Sequence, residues 1–260
     1  MKIKLILILF LFVTKAFTAK NSNFYYECIL LKTKPSLDNS LQSKVLLQLK
    51  LKKKDIQEEL YVEKIMPNNK LQSIVVIPKI ATKEIDEYGH LYLVTDIYVL
   101  VVDNKNGKIK SKFFEADSLT SDAVVLNSIE IDTGLYKLNA TTRAFAIRVN
   151  YTGSSGPNPY HQTDLSMFIE KGQKLNRIID KFPITEFHGE WDTNCAGEFE
   201  EIESTITIDN QQTNSFNNLI INQKIKKTKN IKVNEDCKEK ETKTEKKYIM
   251  KFNKLKYINQ

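Results

Sequence analysis

Residue types that can do chemistry are concentrated in one short stretch of this chain, residues 188–199. The stretch contains the only tryptophan and one of the three cysteines of the chain. Its candidate binding residues are Glu190, Trp191, Asp192 and Asn194, which combine an aromatic ring with carboxylate and amide groups. Apolar segments lie on both sides, so we interpret the stretch as a structured corner between two strands.

Part of this stretch fits a calcium-binding loop incompletely. Asp192, Asn194, Gly197 and Glu203 fall at positions 1, 3, 6 and 12 of that template. Position 5 is Ala196, which has no side-chain oxygen. The flanking segments have the pattern of strands rather than of the helices that the template requires. We therefore predict a hydrogen-bonded β corner, in which Trp191 anchors the core or the corner, with no metal ion and no cofactor.

Catalytic arrangements are weakly supported. Ser154, His161 and Asp164 supply the residue types of a hydrolase triad, but the chain has no Gly-x-Ser-x-Gly elbow, and proximity in sequence does not make a triad. The alternative is a pair of carboxylates near Trp191 that performs the acid–base chemistry of a hydrolase acting on envelope material. We predict a non-enzymatic binding or interaction protein in preference to an enzyme.

The elements that position this stretch are predicted to be strands. Residues 91–102 form a long apolar run rich in β-branched side chains, which is typical of a central strand. Asn106–Gly107 follows and predicts a hairpin turn. Strand–turn–strand units recur three times, about 50 to 60 residues apart. The pattern predicts an all-β fold with little helix, as an antiparallel β-sandwich or as propeller-like β-meander repeats.

Two further segments lead to local predictions. Leu47, Leu49 and Leu51 alternate with polar residues, which predicts a strand with one wet face. Residues 224–247 are dense in lysine with interleaved acids, which favours a solvated loop. We divide the mature chain, residues 20–260, into an N-terminal part (20–70), a core (71–208) and lysine-rich C-terminal strands (209–260) of one domain.

The N-terminus has the order of a secretory signal peptide. A short basic region precedes an apolar run and a small-residue end at Ala19. We predict removal of residues 1–19 and a periplasmic or secreted location. The formal charge then falls from +7 to +4, because three lysines and no acid are lost. This mild excess predicts no nucleic-acid partner, and the mature chain has no second long apolar run to insert stably in a membrane.

An exported chain can keep disulfides. Closing Cys195 onto Cys237 would fasten the lysine-rich segment, which has few apolar anchors of its own. The alternatives are a Cys28–Cys237 bridge, which would tie the ends of the mature chain together, and a free buried Cys195. We predict Cys195–Cys237, with Cys28 unpaired.

Several short motifs resemble an uncharacterised family of exported proteins from Gram-negative bacteria. They are Glu190-Trp191-Asp192, Cys195-Ala196-Gly197-Glu198-Phe199, Ser121-Asp122-Ala123 and Thr142-Arg143-Ala144-Phe145. The resemblance covers roughly residues 91–208. It implies a periplasmic or secreted β protein, and it brings no established activity and no catalytic residues. The binding function predicted above implies an unidentified protein or envelope ligand as the partner.

Overall fold

The computed structural model describes residues 39–259. The predicted signal peptide and Cys28 lie outside these residues. One α-helix, α1, covers Leu41–Leu49, and short 3-10 helices cover Lys53–Asp55 and Glu58–Leu60. The strands are β1 Val62–Met66, β2 Asn69–Ile85, β3 Leu91–Asp103, β4 Ile109–Ser121, β5 Val124–Asp132, β6 Phe145–Gly153, β7 Tyr160–Lys171, β8 Lys174–Trp191, β9 Gly197–Thr213, β10 Phe216–Val233, β11 Asp236–Phe252 and β12 Tyr257–Asn259.

The all-β prediction is confirmed, since strands make up 70% of the described residues and helices 7%. The strands form one hydrogen-bonded sheet in the order β1-β2-β3-β4-β8-β9-β10-β11-β12, and β5, β6 and β7 attach in sequence to β8. Among the strands of residues 39–259, every extended pairing is antiparallel, and the one parallel contact is between Lys112 of β4 and Lys174 of β8. The strands are thus joined in a continuous sheet rather than divided among separate blades.

Strand β8 connects the two halves of the sheet. One edge pairs with β7 along most of its length. The other edge touches β4 at Lys174 and pairs with β9 from Thr185 to Trp191. Because β8 is 18 residues long, it carries the chain from the packed layers at its start to the exposed corner at its end.

Apolar side chains form three clusters that hold the sheet in layers. The first lies between β2–β4 and β5–β7, and the second lies between β6–β8 and β10–β12. The third lies between α1 and the opposite face of β2 and β3. Strands β3, β6 and β7 therefore bury side chains on both faces, as the continuous apolar runs in their sequences indicate. Layers of one continuous sheet thus pack on each other over these clusters.

The predicted strand at Leu47, Leu49 and Leu51 is wrong, because this segment forms α1. Burial at Val45 and Leu46 follows the helical face that meets the third cluster, while Leu47 is exposed. The Ser40 side chain caps the helix by accepting a hydrogen bond from the backbone N–H of Ser43. No helix within residues 39–259 has the length and apolar character needed to cross a membrane.

The predicted hairpin between β3 and β4 is confirmed. Gly107 has φ +71°, in the left-handed region where glycine is preferred. A Cβ at this position would lie 2.6 Å from the Cβ of Lys44, so glycine also permits α1 to approach the turn. The Gln48 side chain completes the contact by donating a hydrogen bond to the Gly107 carbonyl.

The lysine-rich segment is also different from the prediction, since residues 224–247 belong to strands β10 and β11 and to the turn between them. With the ends of β8 and β9, they form an antiparallel ribbon that we call the arm: residues 185–191, 197–203, 224–233 and 236–247. Residues 231–247 are all exposed, and the three apolar clusters contain none of them. Pairing of β10 with β9 and of β11 with β10, rather than a core, holds the segment in strands.

Candidate functional site

The predicted corner is a tight turn that joins β8 to β9 at the end of the arm, and Asp192 organises it. Its Oδ1 accepts hydrogen bonds from the backbone N–H groups of Asn194, at 2.9 Å, and Cys195, at 2.7 Å. The backbone N–H of Asp192 donates to the Ala196 carbonyl. The hydrogen bonds that the backbone donates to the carboxylate, first that from Asn194 and then that from Cys195, hold the pKa of Asp192 below its usual range. The carboxylate is therefore used by the turn itself.

One face of the arm is aromatic. Side chains alternate along a strand, so Phe187, Gly189 and Trp191 share a face with Gly197 and Phe199, which lie opposite them in the register. The rings of Phe187 and Phe199 are stacked with centroids 6.1 Å apart. Trp191 is 37% exposed and belongs to none of the apolar clusters. It lies at the corner, which is one of the two places predicted for it, and not in the core.

Gly189 allows the Phe199 ring to lie flat on the sheet. A Cβ at residue 189 would overlap Cδ1 of that ring. We expect Gly189→Ala to destabilise the protein by about 1–3 kcal/mol, because the ring must leave its position over the strand. Chemical denaturation measures the change. Gly156→Ala is the control, since nothing lies within 4 Å of its Cβ position, and an equal effect of the two substitutions would contradict the ring contact.

The opposite face of the arm is charged and forms an open cleft of about 770 Å³. We call this surface the charged cleft; its charged or ionisable lining residues are His188, Glu190, Glu198, Glu200, Lys227, Lys229 and Lys240. Acids of β8 and β9 line one side, and lysines of β10 and β11 line the other.

Charges within the cleft are only partly compensated. Glu190 and Glu198 lie directly opposite each other in the β8–β9 register. Glu198 is held by Lys229, whose hydrogen bond lowers the pKa of Glu198. Among the described residues, Glu190 and Lys240 have no ion-pair partner. The cleft thus offers one free carboxylate and one free ammonium group to a ligand.

Of the four predicted residues, only Glu190 lies in the charged cleft. Trp191 is on the aromatic face, and Asp192 and Asn194 build the turn. The lysines of the cleft were missed because the sequence favoured a loop there. The spacing of the lysines at residues 224, 226, 227 and 229 was the available signal, since it matches the acids at residues 203, 201, 200 and 198 across two antiparallel strands.

A second polar group, also missed, lies where β7 meets β8. The Tyr160 hydroxyl donates to Gln162 Oε1, and Gln162 Nε2 donates to Asp164 Oδ1, both at 2.6 Å. Glu186 lies opposite Gln162 in the register. Burial raises the pKa values of Asp164 and Glu186, and the negative charge of Asp164 adds to the effect on Glu186. Carboxyls of this kind hold a proton to higher pH, as a general acid must.

The space beside Asp164 is too small for a substrate. The cavity there has a volume of about 20 Å³, which accommodates roughly one water molecule. The residues Ser154, His161 and Asp164, considered as a hydrolase triad, are also not brought together. The Ser154 hydroxyl bonds to the Ala123 carbonyl, and His161 packs its ring edge to face with Phe187 on the aromatic side of the sheet.

Burial of Asp164 predicts a pH dependence of stability. The pKa of Asp164 in the folded protein is raised above its ordinary value of 3.8. The protonated carboxyl therefore favours the folded state at a pH below 3.8, and the stability of the fold decreases as the pH rises through the raised pKa. At pH 7, Asp164→Asn should raise the Tm by about 2 °C, and the advantage should disappear in acid. Thermal melts from pH 3 to 8, with Glu87→Gln as the exposed control, test this. A lower Tm at pH 7 would contradict it.

The predicted Cys195–Cys237 disulfide is confirmed, with Cα atoms 5.7 Å apart. It joins the turn after β8 to the start of β11. Both alternatives, a Cys28–Cys237 bridge and a free Cys195 thiol, are therefore wrong. Cys237 lies opposite Lys232 in the β10–β11 register, and both side chains are on the aromatic face of the arm. The bridge therefore closes the end of the arm on that face.

The chain matches no protein-family model, no curated protein and no solved structure.

Proposed function

We propose that this chain is an exported, non-enzymatic binding or interaction protein of the bacterial periplasm, in line with the exported family that it resembles. Its partner is a protein or an envelope ligand, and the arm is the binding element. The observation that carries the proposal is the charged cleft, an open surface that no other described part of the chain covers.

The chemistry of the cleft indicates the kind of ligand. Glu190 and Lys240 are exposed and lack ion-pair partners among the described residues. A ligand therefore gains the most binding energy if it presents a cation to Glu190 and an anion to Lys240. Charged groups arranged this way favour selectivity and rapid association more than high affinity. The aromatic face adds a partly exposed ring, Trp191, on the other side of the same ribbon.

A hydrolase of envelope material is the second candidate. It is favoured by the raised pKa of Glu186, which lies next to His188 and Glu200 along the charged face. Against it, Asp164, the other carboxyl with a raised pKa, lines a cavity of only about 20 Å³, which is too small for a sugar or peptide. A hydrolase would lose activity completely in Glu186→Gln, whereas a binding protein would keep its ligand.

Affinity capture tests the proposal. Mature protein, residues 20–260, is immobilised and exposed to envelope extract of its own host, and the retained material is identified by mass spectrometry. We expect a partner that wild type retains and that Glu190→Lys/Glu200→Lys loses. Glu84→Lys/Glu87→Lys, which makes the same charge change on the exposed β2–β3 hairpin, is the control. Retention that is equal for all three proteins would overturn the proposal.

A further inference from the structure

Strand β11 has a long open edge. It pairs with β10 from Asp236 to Met250. On its other side it pairs with β12 only at Met250, Lys251 and Phe252. The outer edge of residues 236–249 therefore meets no strand within residues 39–259, and residues 236–247 are all exposed. Main-chain N–H and C=O groups on such an edge are a template for another extended chain.

The charge along this edge differs between its two faces. Lys238, Lys240 and Lys246 share the face of the charged cleft, because residues of equal parity lie on the same side of a strand. Threonines occupy the two positions between Lys240 and Lys246 on that face. Among the described residues, these three lysines have no ion-pair partner. On the other face, Glu241 is already paired with Lys243 and Lys226.

We propose that the open edge of β11 binds an extended acidic segment of a partner protein, which adds to the arm as a further antiparallel strand. Acidic side chains at alternate positions of that segment lie on the cleft side, opposite Lys238, Lys240 and Lys246. Main-chain hydrogen bonds supply the affinity, and the lysines supply the preference for acid. The inference rests on the proposed function, of which it names the partner class.

A second copy of this chain fits the edge less well. Antiparallel self-pairing centred on Thr242, in the middle of the open edge, would place Lys238 opposite Lys246 and Glu239 opposite Glu245. Like charges directly opposite one another destabilise a sheet. Lysine on a strand edge also discourages edge-to-edge association of identical chains.

Synthetic peptides provide the test. The probe is a ten-residue peptide of alternating Thr and Glu with blocked termini, and its counterpart has Lys in place of Glu. We expect the acidic peptide to bind with a Kd of about 10–100 µM and the basic peptide not to bind. In NMR spectra, the shifted amides should lie in β11. Lys238→Glu/Lys240→Glu should weaken binding at least about tenfold, whereas Lys171→Glu/Lys174→Glu, at the turn between β7 and β8, should not.

N-methylated peptides separate strand addition from simple charge attraction. Methylation of alternate peptide nitrogens removes the hydrogen-bond donors on one edge of the peptide and leaves its charge unchanged. One of the two alternating patterns should abolish binding, and the other should preserve it. Equal binding of both patterns, shifts confined to residues 186–200, no binding of the acidic peptide, or self-association through β11 would overturn the inference. Each of these results leaves the capture experiment, which changes no residue of β11, free to succeed or fail independently.

Discussion

Replacing both bridged cysteines, Cys195→Ser/Cys237→Ser, is expected to lower the free energy of unfolding by up to about 4 kcal/mol. The bridge spans 42 residues of sequence, and closing a loop of that length removes much of the conformational entropy of the unfolded chain. The arm depends on it strongly, because its end has no apolar cluster. Exposed ion pairs such as Lys227–Glu200 contribute only about 0.2–1 kcal/mol each.

The loss should be localised as well as large. Hydrogen exchange should accelerate in residues 226–240 of the double variant, while β3 and β6 keep the protection of the wild-type core. Chemical denaturation gives the size of the effect, and exchange gives its place. A loss below about 1 kcal/mol with unchanged exchange in the arm would contradict a clamping role for the bridge.

Phe168→Ala is expected to destabilise the whole protein by about 3–5 kcal/mol. The side chain is 1% exposed and lies between two other rings: its centroid is 5.2 Å from that of Phe113 and 5.8 Å from that of Phe145. Phe113 belongs to β4 and Phe145 to β6, so the substitution removes the group that joins the two layers around the first cluster. The cavity cannot collapse without moving a strand.

Phe187→Ala on the arm is the matched control. This ring also stacks on a phenylalanine, Phe199, but it is only half-buried. Its loss should lower the free energy of unfolding by about 1 kcal/mol, and the core should retain its protection from hydrogen exchange. Denaturation curves of the two variants compare them directly. Similar losses of stability in Phe168→Ala and Phe187→Ala would show that the packing of the two layers does not depend on Phe168.

The strand content was predictable because it is encoded locally. The apolar run of β3 and the turn at Gly107 are visible in consecutive residues, and the disulfide followed from the lack of apolar anchors around Cys237. In α1, alternation of three leucines was coincidental. The residues that pack on the third cluster, Leu41, Val45, Leu46 and Leu49, are spaced with the helical period.

The candidate site depends on non-local pairing, which the sequence does not display. Residues 224–247 have the composition of a loop, and they form strands because β10 pairs with β9, with lysines opposite acids, and β11 pairs with β10. The raised pKa values of Asp164 and Glu186 likewise arise from burial at the β7–β8 register. Glu190 was selected for its residue type, and its position opposite Glu198 follows only from the strand pairing.

The most direct test of the account is the affinity of the captured partner for three purified proteins, measured by isothermal titration calorimetry. The compared proteins are wild type, Glu190→Lys/Glu200→Lys in the charged cleft, and Glu84→Lys/Glu87→Lys on the β2–β3 hairpin. We predict that the cleft variant binds at least about tenfold more weakly, a loss of about 1.4 kcal/mol, and that the hairpin variant binds like wild type. Equal affinities of all three proteins would contradict the assignment of binding to the charged cleft of the arm.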